Sequence, residues 1–125
     1  MLIPFDKLVS HFKLSISGVL HIGAHECEEY SYYIKDNIPN ENIYWIEAMN
    51  DKVEEMKNKY DKVNIFAGVA SDVDGEEVNF NITNNGQSSS FLELGTHLQH
   101  HPHVFVVKQE KKETIRMDTL IEKNN

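Results

Sequence analysis

Short apolar runs alternating with segments of helical period fill the first half of the chain, and this alternation constrains the fold more than any other feature. The runs are Gly18 to Ile22, Ile43 to Ile46 and Val63 to Ala67. Their brevity and their glycine, acid or turn boundaries favour buried strands over helices. Between the first two, Glu26 to Asp36 carries Cys27, Tyr30 and Ile34 at helical spacing, with Tyr33 beside them. Glu26, Glu28 and Glu29 fall in the expected first turn, where the helix dipole favours acids. Asn50 to Tyr60 then presents Val53, Met56 and Tyr60 as an apolar stripe, with Lys and Glu on the wet face. Strand, helix, strand, helix, strand is the order of βαβ units, whose strands lie parallel with right-handed crossovers. The expected class is α/β.

Ahead of this unit, Pro4 to Lys13 places Phe5, Leu8, Val9 and Phe12 on one helical face, with proline suited to the first turn. The second half is β-rich. Ser71 to Gly75 is turn chemistry, and Val78, Phe80 and Ile82 alternate with polar residues as in a half-exposed strand. Asn84 to Ser90 reads as a loop, and Phe91 to Gln99 as a short helix or irregular segment weakened by Gly95. Val104 to Val107 and Thr114 to Met117 read as two strands separated by the charged stretch Lys108 to Glu113, and Asp118 as the cap of a last helical turn. One domain is expected over 1–125: an N-terminal helix in 1–16, a βαβαβ half in 17–70, and strands and loops in 71–125.

Composition narrows the partners. A formal net charge of -8 argues against nucleic acid, which requires a basic surface to displace counterions. The single cysteine, Cys27, excludes an internal disulfide framework. The N-terminus lacks the apolar stretch of a signal peptide, and no run approaches a membrane span. A cytoplasmic chain with no membrane partner is the expectation.

The segment richest in chemistry is Val19-Leu-His-Ile-Gly-Ala-His-Glu-Cys-Glu-Glu. A strand that ends in glycine and turns into a helix lets backbone approach a ligand, and the helix start offers unpaired N–H groups. Glu47 stands at the tip of the second strand, where an acid accepts hydrogen bonds from ribose hydroxyls in nucleoside sites. The third glycine of a GxGxxG is absent, and an ordinary strand–turn–helix with a solvated glutamate is the competing reading.

His21-Ile-Gly-Ala-His-Glu-Cys-Glu and Tyr44-Trp-Ile-Glu-Ala resemble the FkbM-type methyltransferase family. Ala67-Gly-Val-Ala-Ser-Asp, Asp74-Gly, Val78-Asn-Phe, the serine-rich loop and Ile115-Arg-Met-Asp-Thr-Leu follow in the family's order. The resemblance implies S-adenosylmethionine as cofactor and a Rossmann-like, doubly wound methyltransferase sheet. It implies that His21, Gly23, Ala24, His25, Glu47, Ala48, Gly68 and Val69 bind the cofactor, with Gly23, Ala24 and His25 as its loop, Glu47 at the ribose and Gly68 and Val69 near the adenine. It also implies O-methylation of a sugar or other small-molecule hydroxyl. His21 stands where such enzymes often carry an acid, and Cys27 where their loop usually has glycine. The family continues past Asp118-Thr-Leu into further strands, so the chain is expected to be a truncated, N-terminal half. The alternative is a catalytically incompetent remnant or subunit that binds a nucleoside, or a homo-oligomeric or complementing partner through an uncovered sheet edge.

His97, His100, His101 and His103 form a tract that a solvated loop explains and that could also bring two or three imidazoles to a metal. His97 is the candidate general base, because the tract follows the serine loop. His21 and His25 straddle the strand–helix turn, which leaves a HExxH reading unsupported. Tyr30 and Tyr33 have core spacing. The acids around Cys27 oppose a thiolate, so it reads as packing.

Overall fold

The computed structural model describes residues 3–124; Met1 and Leu2, part of the N-terminal stretch weighed above, and Asn125 lie outside. The chain is a mixed α/β fold in two compact units, one through Ala67 and one from Gly68 onward. No helix among the described residues is long and apolar enough to cross a membrane.

In the first unit, α1 (Phe5–Phe12) precedes β1 (Val19–Ile22), α2 (Tyr30–Lys35), a 3-10 turn (Asn40–Asn42), β2 (Ile43–Glu47), α3 (Asn50–Lys59) and β3 (Asn64–Ala67). The sheet is parallel in the order β1-β2-β3. Register sets His21 beside Trp45 and Trp45 beside Ile65, so period-2 alternation sends Ile43, Trp45 and Ile65 to one face. There they form a buried cluster with Ala24, Cys27, Tyr33, Ile38, Val53 and Met56. On the opposite face Ile46 is buried, while Leu20, Ile22 and Tyr44 are 43%, 51% and 41% exposed. Parallel sheets ordinarily have both faces covered.

Two helices differ from expectation. Pro4 is the residue before α1, its carbonyl accepting from the amides of Lys7 and Leu8 at 3.1 and 3.2 Å. Phe5 packs edge-on against Tyr33 at 5.0 Å, whereas Phe12 stays exposed. α2 begins at Tyr30, not Glu26, because His25 and Cys27 sit at φ 45° and 51°. Left-handed backbone at non-glycine residues interrupts the α ladder. Cys27 and the three glutamates therefore precede the helix in a chain of turns, and Tyr33, rather than Ile34, faces the core.

The second unit holds β4 (Val69–Ala70), β5 (Glu77–Thr83), α4 (His97–His100), β6 (Val106–Ile115) and α5 (Met117–Lys123). Its sheet is mixed, in the order β4-β6-β5: β6 runs parallel to β4 and antiparallel to β5. The charged stretch expected to separate two strands is the middle of one ten-residue strand. Its charges are accommodated by pairing: Lys111 reaches Glu77 at 3.0 Å, Lys112 reaches Glu110 at 3.5 Å, and the Lys112 ammonium lies 5.9 Å from the Phe80 ring centroid. Long lysine stems cover apolar surface while their heads stay wet. Asp118 does not cap α5; it pairs with the Arg116 guanidinium at 3.0 Å. The α5 terminus is held by Asp74, whose carboxylate accepts from Arg116 N at 2.7 Å and Thr119 Oγ1 at 2.8 Å. These bonds hold the Asp74 carboxyl below the ordinary carboxylate range.

Candidate functional site

The carboxyl ends of β1 and β2 lie side by side and are laced together. The Ile46 carbonyl accepts from the amides of Gly23 and Ala24 at 2.8 and 3.0 Å. Glu47, 6% exposed, accepts from His25 N at 2.7 Å through Oε2 and from Met49 N at 2.9 Å through Oε1. Cys27 N closes a turn onto Ala24 O at 2.7 Å, and Glu26 N donates to Glu28 Oε2 at 3.2 Å. The expected unpaired N–H groups are thus absent from Gly23 through Cys27, where each amide has a partner within the chain. α2, one and a half turns long, begins only after them. Gly23 has φ +85°, and apart from its chain neighbours no atom of the described residues lies within 4 Å of where a Cβ would stand. Glycine is the residue that adopts this backbone without strain.

A cofactor with ribose hydroxyls fits part of this arrangement. An ionised carboxylate has about four acceptor positions, and the two backbone bonds leave Glu47 with capacity beyond them. The open side of Gly23 admits close approach. Ala48, half-buried, follows Glu47 at the strand end.

His21 turns toward the core face. Its Nδ1 lies 2.8 Å from the Tyr33 hydroxyl, its ring stacks on Trp45 at 4.7 Å, and its Nε2 is 4.0 Å from Glu29. Burial, and then the Glu29 charge, push the Tyr33 hydroxyl pKa up. His25 Nδ1 bonds Glu28 Oε1 at 2.8 Å. Burial pushes the Glu28 pKa up, but the His25 hydrogen bond and backbone bonds outweigh it and leave it low. Glu26 is held by Lys52 at 2.9 Å, which lowers its pKa; bonds to Glu26 and Glu55 push Lys52 up to about 12. Among the described residues, His25, Glu26 and Glu28 are the one group bringing three possible metal-ligand atoms within 4.8 Å of one another. The Lys52 ammonium already supplies positive charge to Glu26. Cys27 is buried, and burial together with Glu28 and Glu29 pushes its thiol up to about 12.

Gly68, Val69 and His97 belong to the second unit. Val69 is buried in β4 beside Thr114. His97 Nε2 lies 3.3 Å from Ser88 Oγ, and the His97 and His101 rings sit 4.7 Å apart. No three ligand atoms of the histidine tract converge within 4.8 Å. The sequence reading missed the His25–Glu28 pair because it placed Glu28 inside a helix; the His-x-x-Glu spacing was its one available signal.

Comparison with known proteins finds no family model, no curated protein and no solved structure that matches the chain.

Proposed function

We propose that the chain is an S-adenosylmethionine-dependent methyltransferase of doubly wound α/β type, acting on a hydroxyl of a sugar or other small molecule. The observation that carries this reading is the juncture of Glu47 with the Gly23–His25 loop at adjacent ends of parallel strands. Ligands of open α/β sheets bind outside the carboxyl ends of the strands. The cofactor, when bound, supplies an activated methyl group. Gly23 allows it close approach, Glu47 takes its ribose hydroxyls on the acceptor positions left by His25 and Met49, and the laced loop keeps both fixed. Calorimetric titration with S-adenosylmethionine tests the reading. Saturable heat is expected from the wild type, and weaker binding from Glu47→Ala and from the more conservative Glu47→Gln. No heat from the wild type overturns the cofactor, and equal affinity in all three proteins overturns the role of Glu47.

A second reading, a non-catalytic nucleoside- or partner-binding chain, is favoured by the exposed Leu20, Ile22 and Tyr44 and by the edge of β1, which pairs with no second strand among the described residues. Light scattering separates the two: a stable monomer counts against a sheet completed by another chain.

A further inference from the structure

We infer that His25 is the proton acceptor of this site, held in one tautomer by Glu28. The inference rests on the methyl-transfer reading above, and its foundation is the 2.8 Å bond between His25 Nδ1 and Glu28 Oε1. An ionised carboxylate can only accept hydrogen bonds. Nδ1 therefore carries the proton, and in the neutral ring Nε2 is left as an acceptor. A histidine whose second nitrogen is engaged by a carboxylate is fixed in tautomer and orientation. Here the backbone is fixed too, because His25 N donates to Glu47 Oε2 at 2.7 Å. The backbone that carries the imidazole is thus anchored to the same carboxylate that is proposed to hold the ribose.

The charged groups around it favour this role. Glu28 pairs with the ring, Glu47 holds the amide, and Glu26 is neutralised by Lys52. His97, the candidate from sequence, has the reverse arrangement: its Nε2 is the nitrogen engaged, by Ser88 Oγ at 3.3 Å, and no carboxylate orients it in the described hydrogen bonds. At His25, a proton leaving an acceptor hydroxyl would pass to Nε2. The O–H bond breaks, its electron pair stays on oxygen, and an N–H bond forms. The imidazolium charge then lies against Glu28 until the proton is lost to water. Glu28 is a positioning residue in this scheme, acting through His25.

Long-range proton–nitrogen correlation spectra of the 15N-labelled full chain test this, with His25 assigned through His25→Gln. In the neutral ring the wild type is expected to show a single tautomer with Nδ1 protonated and Nε2 bare. In Glu28→Gln, whose amide can donate as well as accept, that single signature is expected to be lost. A wild-type Nε2–H tautomer, or an unchanged signature in Glu28→Gln, overturns the inference; the wild-type spectrum decides even if the variant does not fold. Titration with S-adenosylhomocysteine is expected to shift both the Gly23–Ala48 amides and His25 Nε2. If the amides move and Nε2 does not, the role of His25 falls while the cofactor reading stands. If nothing moves and calorimetry gives no heat, the cofactor reading itself falls, whatever the tautomer.

Discussion

The parallel sheet buries Ile43, Trp45 and Ile65 in a cluster of apolar side chains, and Glu47 is the buried charged residue at the carboxyl end of its central strand. The β4-β6-β5 sheet buries Val69, Phe80, Val104 and Leu120, but alongside them lie Asn81, Thr83 and Thr114. Thr114 Oγ1 donates to Val73 O at 2.7 Å and accepts from Glu76 N at 3.1 Å. Asn81 accepts from Gln109 Nε2 at 2.7 Å and donates from its side-chain amide to Leu92 O at 3.2 Å. Removal of apolar area from water dominates the first unit. In the second, side chains satisfy the backbone of turns that no ladder reaches. Apolar burial tolerates approximate fit, whereas a buried polar group left unpaired loses its full solvation.

This contrast is broken or sharpened by truncation in each unit. Trp45 is fully buried, so Trp45→Ala is expected to cost about 3–5 kcal/mol in urea denaturation. Trp45→Phe keeps a ring and deletes an indole N–H that has no hydrogen-bond partner among the described residues, and is expected to cost less. A small effect of the alanine variant would mean that the apolar cluster does not hold the first unit. In the second unit, Thr114→Val preserves shape and removes the hydroxyl between Val73 and Glu76. The expected cost is about 1–3 kcal/mol, with faster hydrogen exchange at Glu76 N. A neutral result would show that β5–β6 pairing alone suffices there.

Asp74 gives the same unit a pH dependence. Its folded-state pKa is depressed, so its contribution is present above the ordinary aspartate value and is lost as pH falls through the lower folded value. Below about pH 4 the wild type is expected to lose stability more steeply than Asp74→Asn, whose side chain does not titrate. Parallel acid limbs in the two thermal-melting profiles would remove Asp74 from the account.

What could be read from sequence follows this division. The three parallel strands and α3 were legible because the short apolar runs and the Val53–Met56 stripe are local patterns, although β1, expected to be buried, leaves Leu20 and Ile22 exposed. Glycine and acid at the two strand ends were legible for the same reason. The start of α2 was not, since nothing local requires positive φ at His25 or Cys27. Nor was the capping of α5, because Asp74 reaches Arg116 across 42 positions. The His25–Glu28 pair fell between: its spacing is visible, but its geometry depends on the interrupted helix.

The least legible element, β6, supplies the smallest effect. A run of Lys and Glu reads as solvated, yet its alternate residues have different jobs. The Lys112 side chain is 13% exposed and sits on the Phe80 side of the ladder, whereas Lys111, paired with Glu77 on the other side, is 74% exposed. An exposed ion pair contributes about 0–1 kcal/mol and is screened by salt. Lys111→Ala is therefore expected to change stability by no more than about 0.5 kcal/mol. Lys112→Ala removes a side chain that is largely shielded from water, its ammonium 5.9 Å from the Phe80 ring centroid, and is expected to cost about 1 kcal/mol, with less sensitivity to salt than the exposed pair. Equal costs, or a salt-sensitive loss at Lys112, would mean that charge rather than the covered ring holds β6 as one strand. The second sheet would then owe its order to electrostatics, and the contrast with the apolar sheet would be wider than burial alone makes it.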